Sequence, residues 1–144
     1  MTGPVVVVAR VLPAPPDVVY DEWLDADGMS EWMCPRPAVP TRIEIDPRVG
    51  GRYLIDIDDE GLALTITGRY LELDRPRLLR FSWHCNTWEP GSADSEVTVA
   101  LDPHEGGRTL MTIRHERLPA DLADSHEAGW GRIAAQLEQA LARA

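Results

Sequence analysis

The chain has 144 residues, a length that fits one domain over residues 1–144 burying about two thirds of the surface its unfolded form exposes. Hydrophobic residues make up 44% of it, yet no run approaches the roughly 20 apolar residues that span a bilayer, so membrane insertion is not expected. A net charge of −10 opposes phosphate backbones and anionic lipid surfaces, and nucleic acid is excluded as an expected partner.

In chain order, Val5 to Leu12 reads as a strand, with Arg10 turned outward, that Pro13, Pro15 and Pro16 end. Pro16-Asp17 is a good helix opening, and Val19, Tyr20, Trp23 and Leu24 then share a helical face. Asp25-Ala26-Asp27-Gly28 is expected to stop that helix, leaving one short turn at Ser30–Met33 before Cys34-Pro35-Arg36-Pro37 forbids continuation. From Thr41 the period becomes two. Ile43 and Ile45 alternate with charged residues, and Tyr53, Ile55 and Ile57 follow the turn at Pro47–Gly51. After a turn at Asp58–Gly61, Leu62, Leu64, Ile66 and Tyr70 share a parity that Leu71 and Leu73 break, which predicts a bulge near Gly68. Leu79, Phe81, Trp83 and Cys85 make a strong strand, followed by a polar loop over 86–94. Val97, Val99 and Leu101 form the next strand; Met111, Ile113 and His115 form the last.

The chain closes on a helix expected over His126–Ala144, about 28 Å long. Trp130, Ile133, Leu137 and Leu141 give it one apolar face, and its alanines give helicity and close approach to a neighbour. Asp124 with Glu127 is the expected capping pair. The resulting order is β-α-α-β×6-α, an α+β fold with a curved antiparallel sheet of seven strands and a long final helix lying across it.

Little in the chain has the spacing of a chemical motif. Asp56–Gly61 superficially resembles a calcium loop, but the twelfth position is Thr67 and the flanks alternate, so a solvated hairpin turn is expected. His84, His104, His115 and His126 have no short metal-ligand spacing; no metal and no cofactor are expected, although His115, His126 and Cys85 can be brought together by a helix facing the last strand. Cys85 and His115 are the one conceivable nucleophile–base pair, without an activated-cysteine signature around them. All fourteen basic residues are Arg, which removes Schiff-base lysine chemistry. The two cysteines make no disulfide framework, and Val5–Val8 is too short and lacks the basic leader of a signal segment, so a cytoplasmic protein is expected. Gly129 and Gly131 inside the helix have two explanations, close packing on the sheet, which is the simpler, or a weak point that lets the helix lift for ligand entry.

Particular residues carry a family resemblance. Ala14–Tyr20 with Glu31-Trp32 resembles the opening of the START-like (SRPBCC, Bet v 1-type) superfamily, whose arrangement is the helix-grip fold. Asp46–Tyr53, Gly68–Glu72, Leu78–Trp83, Ser95–Leu101, His126 and Gly129-Trp130 resemble more narrowly the bacterial group named after the C-terminal domain of the Hsp90 ATPase activator Aha1. The resemblance implies a cavity between the curved sheet and the final helix. Trp32, Met33, Tyr53, Trp83, Cys85, Met111, His115, His126 and Trp130 are the candidate ligand-binding residues, mixing large aromatics with polar tips, although any one of them can equally be core filling. The expected partner is a small apolar or aromatic molecule. A cyclase- or hydrolase-like enzyme using the same cavity, and a co-chaperone-like or homodimeric interaction module, are the alternatives.

Overall fold

Alternating apolar and polar residues build seven strands, and their order in space follows from short hairpins. The computed structural model describes residues 4–143. The strands are β1 (Val6–Leu12), β2 (Val39–Ile45), β3 (Arg52–Asp59), β4 (Leu62–Asp74), β5 (Leu78–Cys85), β6 (Ser95–His104) and β7 (Arg108–Glu116). They form one antiparallel sheet in the order β1-β7-β6-β5-β4-β3-β2. Two short helices, α1 (Pro16–Glu22) and α2 (Ala26–Trp32), lie between β1 and β2. The long helix α3 (Ala123–Arg143) packs along β1 and against α2. This is the α+β helix-grip arrangement: a curved sheet wrapped around a final helix.

The parity read from β5 holds. Leu79, Phe81, Trp83 and Cys85 are buried, facing Val97, Val99, Leu101, Met111 and Ile113 of the neighbouring strands in one core. Trp130, Ile133, Ala134, Leu137 and Leu141 cover that core from α3. The acidic run resolves as a two-residue hairpin. Glu60 and Gly61 take φ of 51° and 94°, as the mirror-image turns between twisted strands require, and Asp58 Oδ1 accepts the Gly61 N–H at 2.8 Å.

Five expectations are corrected. The first helix does stop, at Glu22 with Asp25 extended, but residues 26–28 belong to α2, which begins at Ala26 rather than at Ser30. Gly28 inside it is a space rather than a breaker, because a Cβ there would collide with the Glu22 carboxylate, which accepts the Trp32 indole N–H at 3.0 Å. The bulge in β4 falls between Tyr70 and Glu72, at Leu71, and not at Gly68. Arg10 shares its parity with the inward Val6 and Leu12, and its guanidinium reaches Glu138 of α3 at 2.5 Å. The helix begins earlier than His126, after a 3-10 turn at Ala120–Leu122, so Asp124 lies inside its first turn rather than capping it. Its expected end at Ala144 lies outside the described residues. Finally, packing does not require the helix glycines: a Cβ on Gly129 would meet Pro35 at an ordinary 3.6 Å, and one on Gly131 would meet nothing.

Candidate functional site

Where α3 passes over β3, β4 and β5, the side chains do not fill the space. A cavity of about 180 Å³ remains, walled by Ile55, Ile66 and Trp83 from the sheet and by Trp130 and Ile133 from the helix. Met33, Cys34 and Pro35, between α2 and β2, close its rim opposite Gly129. That rim is tied to α3 by Gln136. Its amide donates to the carbonyls of Trp32 (2.9 Å) and Cys34 (2.8 Å), and its oxygen accepts the Arg36 N–H (3.0 Å). Cys34 is held at φ 83°, a conformation that a non-glycine residue keeps only when its surroundings impose it. Burial pushes its thiol up to about 12, so it is not a thiolate at neutral pH.

A second, wider space of about 630 Å³ lies beyond, between the polar β5–β6 loop and the 3-10 turn. Cys85, Thr87, Trp88, Glu89 and Asp121 border it, and Ile66 and His126 border both spaces. His126 therefore stands between an apolar inner cavity and a wider vestibule whose largely apolar lining, with Leu64, Trp88 and Leu122, also carries Thr87, Glu89 and Asp121. Its Nδ1 lies 3.0 Å from the Leu122 carbonyl, which only accepts, so Nδ1 carries the proton and the lone pair is on Nε2. Burial holds its pKa below the usual histidine value.

His115 is a different histidine. It is fully buried, with both ring nitrogens engaged. Trp130 Nε1–H donates to Nδ1 at 3.0 Å, while Nε2 contacts Ser95 Oγ at 2.7 Å. Ser95 donates its own proton to the Trp83 carbonyl at 2.7 Å. An indole is only a donor and a carbonyl only an acceptor, so His115 is the neutral tautomer protonated on Nε2. Burial, with a smaller contribution from His126, pushes its pKa down to about 3. It has no free lone pair with which to take a proton from Cys85 or bind a metal. Cys85 instead lies 3.2 Å from Thr87 Oγ1. Among the described residues, no group of three His, Cys, Asp or Glu side chains is placed to hold a metal ion.

The nine candidate residues thus separate. Met33, Trp83, His126 and Trp130 line the inner cavity, and Cys85 lines the vestibule. Tyr53 lies deeper, its hydroxyl donating to the Ser82 carbonyl at 2.5 Å. Trp32, Met111 and His115 border neither space and are core. Cys34, Pro35 and Gln136 carry no site signal in the sequence, and Gly129 stands out there only as a helix glycine and part of the family motif. Cys34-Pro35 reads there only as a helix stop, and nothing marks Gln136 as the partner of a segment 100 residues away.

A helix-grip sheet with an apolar space under its last helix defines a START-like protein. The family model described as activator of Hsp90 ATPase homolog 1-like protein matches residues 13–142, and the chain belongs to this family. Among solved structures, a protein from Chromobacterium violaceum is 28% identical, with a TM-score of 0.85 over 96% of this chain and 97% of that one. The AHSA1 protein from Silicibacter pomeroyi (20% identical, TM-score 0.83, 97% and 99% covered) shares the fold. So does a protein from Nitrosomonas europaea (22% identical, TM-score 0.82, 96% and 94% covered). Comparison with curated proteins gave no match.

Proposed function

We propose that the chain is a cytoplasmic binding protein that holds a small, neutral, apolar or aromatic molecule beneath α3. The apolar cavity of about 180 Å³ carries this reading. An engineered apolar cavity of about 150 Å³ takes up benzene, so the space suits one substituted aromatic ring. Ile55, Ile66, Trp130 and Ile133 supply contact area without polar groups that a hydrocarbon would strand. The vestibule is the approach, and its Glu89 and Asp121, like the net charge of −10, disfavour anionic ligands. Two free, buried cysteines suit a reducing compartment. A cyclase- or hydrolase-like activity has less support, since His115, the candidate base for Cys85, has both ring nitrogens engaged by Ser95 and Trp130. An interaction module is likewise weaker: the large exposed apolar residues, Val5 and Val7, Val18, Val39, Val49, and Leu62 with Leu71, come from four different elements and the segments beside them.

Native mass spectrometry of the purified protein, followed by extraction, tests the reading. A co-purified apolar molecule, or saturable uptake of toluene that Gly129→Leu abolishes, is the expected result. A folded protein that carries nothing and takes up no monocyclic aromatic overturns it.

A further inference from the structure

A second, small chamber of about 10 Å³ adjoins the inner cavity. Met33, Ile55 and Trp83 border both spaces, and Trp23, Tyr53 and Phe81 line its far side. Two of the indoles lining it share an unusual property. The Nε1–H groups of Trp23 and Trp83 are buried and have no acceptor among the described residues, although both side chains are more than nine-tenths buried. The other two core indoles are satisfied, Trp32 by Glu22 and Trp130 by His115. A buried donor without an acceptor is costly, and the two tryptophans that carry such donors both line this one chamber. A space of this size holds one oxygen-sized group and no more.

We infer that this chamber is an acceptor subsite, in which Trp83, with Trp23, donates a hydrogen bond to a carbonyl oxygen of the ligand whose ring fills the inner cavity. The inference rests on the binding reading above and narrows it to neutral aromatic ketones, aldehydes and related carbonyl compounds. A carboxylate fits poorly, because no cationic side chain lines the cavity or the chamber. Hydrocarbons fill the cavity but leave both donors unmet. Tyr53 does not compete for the oxygen, since its hydroxyl proton is committed to Ser82.

Acetophenone and α-methylstyrene test this, being nearly isosteric with C=O in one and C=CH₂ in the other. Each probe is titrated into wild type and Trp83→Phe, so the cost of leaving water cancels within each probe. Acetophenone is expected to lose about tenfold in affinity in the variant, and α-methylstyrene less than about twofold. In the wild type, acetophenone alone should shift the Trp83 indole N–H resonance downfield, a readout that needs no variant and decides the matter if Trp83→Phe does not fold. Equal losses for the two probes, or an unmoved indole resonance in the acetophenone complex, overturn the subsite and leave the chamber to a single water. Binding of neither probe overturns the cavity reading itself, and the subsite with it.

Discussion

His115 shows how much chemistry a side chain loses when its neighbours are fixed. Ser95 and Trp130 select one neutral tautomer, and burial then opposes its protonation. Its pKa in the folded chain, about 3, lies below the ordinary 6.5, so protons bind preferentially to the unfolded chain. Stability is full above about pH 6.5 and falls as pH drops toward 3, by about 1.4 kcal/mol per pH unit from this residue. His115→Gln keeps a donor and an acceptor but does not titrate. Chemical denaturation across pH 3–7 should therefore show a shallower acid slope in the variant than in the wild type. Gly68 is fixed by contact. A Cβ there would collide with the Ser82 carbonyl and lie 2.5 Å from Tyr53 Cε1, so Gly68→Ala should cost about 3 kcal/mol in urea unfolding.

At the scale of elements, α3 carries both the weakest and the most specific features. Gly129 and Gly131 lower its helicity without being needed for packing. Replacing each by Ala should stabilise the protein by about 1 kcal/mol, read as a rise in Tm of about 4 °C per substitution. Their use fits a helix segment left easy to open beside the cavity rim. Gln136 has the opposite role, fastening that rim through three hydrogen bonds. Gln136→Ala should cost about 2 kcal/mol and raise amide exchange at residues 32–37 more than in the sheet. By contrast, Arg10–Glu138 joins the same helix to β1 but is about 41% exposed on both sides and contributes at most about 1 kcal/mol.

For the whole molecule, the cavity exists only when sheet, rim and helix are assembled, so an occupant stabilises the folded state alone. Toluene at about 100 times its Kd should add about 2.7 kcal/mol and raise Tm, and Gly129→Leu should remove that shift. The sequence by itself determined the layer architecture. Period-two alternation in residues such as Leu79, Phe81, Trp83 and Cys85 records which face of a strand is buried, and the Trp130–Leu141 spacing does the same for the helix. It also carried the family, through motifs spread along most of the chain. It could not separate cavity-lining residues from core ones. Trp83 and Trp32 look equivalent in a pattern of burial, yet one borders free space with an unpartnered N–H and the other donates to Glu22. Periodicity states that a side chain faces inward. Only the tertiary structure decides which atom stands opposite it, because those partners come from segments far apart in sequence, as Gln136 does for Cys34 and Trp130 for His115.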